Sequence, residues 1–191
     1  MNKRPKILLL LVISLLLAAL PASAADENDI WLALRSGEHV VLLRHALAPG
    51  TGDPAGFKVD DCSTQRNLSE TGREQARRIG ALFRNNGIDA ARVYSSQWCR
   101  CLETARLLEL GPVTEQPIIN SFFRAFHREA EQTRQLGEWL AQQELSQPLV
   151  LVSHQVNITA FSGVYPSSGE LVVLRRGVDG QFTAVGTLET D

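Results

Sequence analysis

Leu43-Arg44-His45-Ala46 closes a strand-like stretch from Glu38 whose Val40-Val41-Leu42-Leu43 is apolar, and Val152-Ser153-His154-Gln155 closes a second such run 109 residues further on. Runs this short and this saturated with aliphatic residues read as strands buried on both faces. Each delivers a histidine at its carboxyl end, where open α/β sheets keep their chemistry. A third such strand, Ala91-Arg92-Val93-Tyr94-Ser95-Ser96, runs into Gln97-Trp98-Cys99-Arg100-Cys101 and carries Arg100 to the same edge. Two imidazoles and two guanidiniums, those of Arg44 and Arg100, make an anion site with a nucleophile in it.

The segments around these strands alternate in type. A short helix over 29–34, capped by Asn28 or Asp29, precedes the first strand. A loop rich in Gly and Pro follows from Ala48 to about Asn67, longer than an ordinary connection and therefore read as functional. Ser69 is placed to cap a helix whose buried face carries Ala76, Ile79, Gly80, Leu82 and Phe83, and Asn85-Asn86-Gly87 stops it. Helical spacing returns over 98–110 until Gly111-Pro112, and again over 131–144 and 156–161, while residues 115–130 support no element. The tail reads as a hairpin, 171–174 against 182–188, turning at Asp179-Gly180. Strands alternating with helices predict an α/β fold, a three-layer α/β/α sandwich on a mostly parallel central sheet.

The first 24 residues are expected to be a signal peptide. Lys3, Arg4 and Lys6 precede an apolar run from Ile7 to Leu20, and Ala22-Ser23-Ala24 supplies small residues for cleavage. The run is 14 residues long, short of the roughly 20 that span a bilayer, so no stable membrane anchor is expected after cleavage. An uncleaved anchor is the weaker alternative. Residues 25–191 then form one domain, periplasmic or secreted, of a size that buries a proper core. The whole chain carries a net charge of −2, and loss of the three leader cations takes it to about −5, which excludes a general nucleic-acid binder.

Three cysteines, Cys62, Cys99 and Cys101, suit an exported chain that does not depend on disulfides for its core. Cys62 pairs with either Cys99 or Cys101, or all three are buried thiols. The two cysteines flanking Arg100 cannot face the same way, so at most one of them pairs. Cys-x-Cys without a second ligand pair is not a zinc site.

Arg44-His45-Ala46 resembles the Arg-His-Gly signature of the histidine phosphatase superfamily, which includes the cofactor-dependent phosphoglycerate mutases. Asn67 to Ala76 is similar to the family's Leu-Thr-x-x-Gly-x-x-Gln-Ala helix start, Ser95 to Ala105 to its Ser-Ser-x-x-x-Arg-x-x-x-Thr-Ala segment, and Ser153-His154 to its second histidine. The resemblance covers residues 40 to about 161. It implies a phosphoglycerate mutase-like sheet and a metal-independent phosphomonoester phosphatase in which His45 attacks phosphorus and carries the phosphoryl group. Arg44, Arg100 and a protonated His154 would clamp the anion and keep His45 neutral. Thr51 and Gln155 are candidate substrate contacts. No cofactor is implied, because the arginines stand where many phosphatases use a metal.

The chain departs from that pattern in three places. Ala46 and Gln155 replace glycines, which alters backbone approach to phosphate. The glutamate that serves mutases as proton donor has no counterpart in Asn120 to His127. Glu129, Glu131, Asp60, Asp61 and Glu170 are candidate acids, none preferred. Without an acid, only substrates with good leaving groups would react, and mutase activity is disfavoured. A small phosphorylated substrate of the periplasm or cell envelope fits the expected location. The alternative is a catalytically weak periplasmic protein that binds or senses a phosphorylated ligand. His39 and His127 are read as structural, and Trp98, Phe122, Phe123 and Phe126 as core rather than cleft.

Overall fold

The computed structural model describes residues 26–190, so the expected signal peptide lies outside the described residues. Among the described residues five helices, α1 (Glu27–Ser36), α2 (Glu70–Asn85), α3 (Cys99–Leu107), α4 (Glu129–Ala141) and α5 (Gln155–Ser162), surround one six-stranded sheet. Its strands are β1 (His39–Arg44), β2 (Arg92–Ser95), β3 (Val113–Glu115), β4 (Leu149–Ser153), β5 (Leu171–Arg176) and β6 (Phe182–Leu188). Their order is β3-β2-β4-β1-β5-β6; the first four run parallel, and β5 and β6 are antiparallel additions at one edge.

Strand periodicity builds the three layers. Val41, Leu43, Val150 and Val152 point to one face, where Trp31 of α1, Ile79 and Phe83 of α2 and Ala105 of α3 cover them. Val40, Leu42, Leu149 and Leu151 point to the other, under Leu136 and Leu140 of α4 and Ile158 of α5. Because both faces are covered, β1 and β4 are apolar at nearly every position and show no polar alternation.

Differences from the sequence reading lie at element ends, in 113–130, and in the long loop, where Cys62–Thr64 form a 3-10 turn. Asp26, rather than Asn28 or Asp29, caps α1 by accepting the Asn28 N–H. The helix over 98–110 ends at Leu107, and that over 131–144 is shifted back to start at Glu129. Residues 113–115 form a short edge strand, and two 3-10 turns, Pro117–Ile119 and Phe126–Arg128, carry the chain to α4. Phe122 is core as expected, whereas Phe123 and Phe126 are exposed and Phe123 lines the pocket described below, which corrects the reading of both as core.

Helix α2 is fastened to the backbone just beyond His45. Ser69 caps it through the Gly72 N–H at 3.0 Å, and its own N–H donates to the Leu47 carbonyl at 3.1 Å. Gly72 packs so closely on Leu47 that a Cβ there would collide with that carbonyl. Close approach, not a special φ, is what requires glycine here.

Candidate active site

Register brings the two histidines together. In the parallel β1–β4 pair Arg44 lies opposite Ser153, so both chains leave the sheet side by side, and the His45 N–H donates to the Ser153 carbonyl at 3.0 Å. The imidazole centroids are 5.6 Å apart and both rings are buried. Ser95 lies opposite Val152 in the adjoining β2–β4 pair, which places the first turn of α3, and with it Arg100, over the same edge. All four sequence-predicted residues, His45, Arg44, Arg100 and His154, line one pocket of about 400 Å³, as do Thr51 and Gln155.

Hydrogen bonds fix the ring tautomers. His45 Nδ1 lies 2.8 Å from the Ala46 carbonyl, which can only accept, so Nδ1 carries the proton. Its Nε2 is left with a lone pair facing Arg100 Nε–H at 3.2 Å. His154 accepts from Arg100 Nη2 on Nδ1 at 3.4 Å and donates from Nε2 to Ser96 Oγ at 2.8 Å, and Ser96 Oγ in turn donates to Asn120 Oδ1 at 3.2 Å. Burial, then the Arg100 charge, push both imidazoles well below the usual histidine range. This corrects the expectation of a protonated His154. Burial and then the Arg100 charge, rather than an imidazolium, keep His45 neutral in the free protein, and the ring nitrogen of His154 that faces Arg100 is an acceptor.

The cations are distributed around the pocket. Arg44 donates from Nη1 to the Pro166 carbonyl at 2.8 Å, while its Nε is buried with no hydrogen-bond partner among the described residues. An orphaned buried donor on a guanidinium at a pocket wall suits an anion. Arg66, to which sequence reasoning gave no role, lines the pocket with Nε on the Gly52 carbonyl and Nη1 on that of Ala48. Burial and the neighbouring Arg100 pull its guanidinium down to about 10.

Asp53 is the second residue that the sequence did not reveal. Its carboxylate forms a two-point pair with Arg100, Nη1 to Oδ1 at 2.8 Å and Nη2 to Oδ2 at 3.2 Å, both side chains being buried. Arg100, helped by the Arg66 N–H and Trp98 Nε1–H, outweighs the cost of burial and holds this carboxyl below the usual aspartate range. The expected acids do not reach the site: Glu129, Glu131, Asp60, Asp61 and Glu170 are all absent from the pocket lining.

Both glycine replacements have local explanations. The Ala46 methyl packs with Ala48, Leu68 and Ala76 beneath α2 and does not line the pocket, and its N–H donates to Thr104 Oγ1 at 3.0 Å. Gln155 does line it, tethered through Nε2 to Thr159 Oγ1 at 2.9 Å. Trp98 belongs both to the core and to the pocket wall. Of the cysteines, Cys62 and Cys99 are joined in a disulfide that ties the long loop to the start of α3. Cys101 is a buried thiol, pushed up to about 12 by burial, with Sγ 3.5 Å from His154 Nε2.

Two histidines and a set of arginines at the strand ends of an α/β/α sandwich line one pocket whose chemistry suits an anion. The family model for the histidine phosphatase superfamily (branch 1) matches residues 40–121 of the chain. Among solved structures, it is similar to the protein histidine phosphatase SixA bound to tungstate, with 13% identity, 80% of this chain and 97% of that one covered and a TM-score of 0.57. A phosphoserine phosphatase mutant from Entamoeba histolytica bound to phosphoserine is 15% identical, with coverages of 80% and 98% and a TM-score of 0.60. A mycobacterial glucosyl-3-phosphoglycerate phosphatase bound to VO3 is 17% identical, with coverages of 77% and 96% and a TM-score of 0.57. At these identities the likeness is one of fold. No curated protein sequence matches the chain.

Proposed function

We propose that the chain is a metal-independent phosphomonoester phosphatase that works through a phosphohistidine on His45. The observation that carries this reading is the state of His45: neutral, its Nδ1–H anchored on a carbonyl and its Nε2 lone pair turned towards Arg100 in the pocket. The unprotonated ring nitrogen is thus the one turned to the pocket and to a guanidinium.

His45 Nε2 attacks phosphorus in line with the ester oxygen, and water then removes the phosphoryl group. Arg44, Arg66 and Arg100 surround the three equatorial oxygens. Their charge and placement supply most of the rate, with each well-aimed donor contributing on the order of a hundredfold. His154, neutral in the free enzyme, donates a hydrogen bond once the phosphate dianion draws a proton onto it. The Ser96–Asn120 relay holds its ring in place. Thr51 and Gln155 contact the group that carries the phosphate.

The substrate class is a small phosphorylated molecule of the periplasm or cell envelope. Export is supported by the leader-like residues 1–24 and by the Cys62–Cys99 disulfide, since such bonds persist in oxidising compartments. The test is hydrolysis of an aryl phosphate in EDTA by the chain from residue 25 onward, with His45→Ala as control. Chelator-resistant turnover lost in the variant is expected. Folded protein that binds phosphate and turns over nothing would instead make this a ligand-binding or regulatory member of the superfamily.

A further inference from the structure

Every donor of Arg100 is engaged in the free protein. A guanidinium has five N–H groups; here they go to His45 Nε2, His154 Nδ1, the Arg66 carbonyl and the two oxygens of Asp53. The group that must clamp the phosphate therefore has nothing free to offer it. A phosphate dianion gains the fork of Arg100 by taking the place of the Asp53 carboxylate.

That exchange alters Asp53 in a definite direction. The carboxylate loses two charge-assisted hydrogen bonds and acquires a dianion as neighbour, and both changes favour its protonated form. The Arg66 guanidinium opposes them, while the Cys101 thiol is uncharged. Two donors do not depend on Arg100: the Arg66 N–H to Oδ1 at 3.1 Å and Trp98 Nε1–H to Oδ2 at 3.0 Å. They keep the carboxyl at the pocket wall after the exchange. Asp53 is also the sole carboxylate among the described residues that line the pocket.

We propose that Asp53 is the general acid of this site, ion-paired to Arg100 in the free protein and converted by substrate binding into the proton donor for the leaving oxygen. The inference rests on the phosphatase reading above. In the first step the His45 Nε2–phosphorus bond forms, the phosphorus–ester oxygen bond breaks, and the departing oxygen takes the proton of the Asp53 carboxyl. In the second step water attacks phosphorus, the Nε2–phosphorus bond breaks, and the Asp53 carboxylate takes the proton released by that water. The sum is one ester and one water converted to one alcohol and one phosphate, with Asp53 and His45 restored. Esters whose alkoxide needs a proton then become substrates, which an acid-free site would exclude.

The experiment compares an alkyl phosphate, glycerol phosphate, with nitrophenyl phosphate, whose leaving phenolate needs no proton. Asp53→Asn is expected to lower kcat/KM for the alkyl ester about a hundredfold or more relative to its effect on the nitrophenyl ester. An equal loss on both esters overturns the proposal, because a residue that merely positions Arg100 affects both alike. A second measurement spares the variant's folding. Calorimetry of inorganic phosphate binding to the unmodified chain, in buffers of differing ionisation enthalpy, is expected to show proton uptake, about one proton above that of folded Asp53→Asn. Equal uptake in the two, or turnover by the unmodified chain confined to the nitrophenyl ester, overturns the assignment. Failure of the unmodified chain to turn over either ester overturns the phosphatase reading itself, and so is distinct from failure of Asp53 alone.

Discussion

Removing the Cys62–Cys99 disulfide is a quantitative test of how the long loop is held. The bond closes a segment with a sequence separation of 37, and its partners sit on the loop and on the first residue of α3. On the chain-entropy relation a closed loop of that length lowers the entropy of the unfolded state enough to stabilise the fold by about 4 kcal/mol. For a domain of this size each kcal/mol moves Tm by roughly 2–4 °C, so the double variant Cys62→Ala with Cys99→Ala is expected to melt about 8–16 °C lower. The readout is circular dichroism melting of both proteins at one pH without reductant. Phosphate affinity is expected to weaken as well, because the same loop carries Asp53 and Arg66 to the pocket. A fall of less than about 3 °C, under 2 kcal/mol on the same scale, would mean that the loop is held by its other contacts and not by the disulfide.

Both active-site imidazoles resist protonation in the folded state, so the unfolded chain binds more protons once pH falls through its own histidine value of 6.5. Stability is then lost as pH drops, by up to about 1.4 kcal/mol per pH unit for each histidine, and melting between pH 8 and pH 5 checks this. By the same shift, kcat/KM for an aryl phosphate should show no loss from His45 protonation around pH 6.5; an acid limb centred there would contradict the neutral nucleophile. Arg100→Lys keeps the charge but loses the fork that holds Asp53 and both histidines, and kcat/KM for an aryl phosphate is expected to fall at least a hundredfold, with Tm lowered because buried partners lose their donors. Gly72→Ala drives a methyl into the Leu47 carbonyl and is expected to destabilise by about 1–3 kcal/mol in a urea titration.

The sheet was legible because β1 and β4 are buried on both faces, which leaves short, saturated aliphatic runs with polar residues at their ends. The two histidines were legible for the same reason, since their position at a strand end is a local property. Edge strand β3 was not, because three residues with only Val113 partly covered leave no periodicity to read. Asp53 was hidden inside Gly52-Asp53-Pro54, which by composition is a turn; its meaning comes from Arg100, 47 residues away. Arg66 stands one residue ahead of the segment that resembles the family, and its role depends on a loop path that spacing does not disclose. Thr104 was visible as part of a motif, yet its task of bonding the Ala46 N–H and the Arg100 carbonyl emerges only when α3 is packed on the turn after His45. Sequence therefore revealed the residues carried by regular elements, and the structure added those that loops bring in.

Transfer of the phosphoryl group to His45 separates a phosphohistidine enzyme from a phosphate binder. The most direct test is to mix the chain with an aryl phosphate, quench in alkali within the first turnovers, and map phosphorylated peptides by mass spectrometry. Phosphate on His45, lost on acid treatment and absent from His45→Asn, is the expected result. No phosphopeptide from an actively hydrolysing protein, or one centred on His154 instead, would contradict the account.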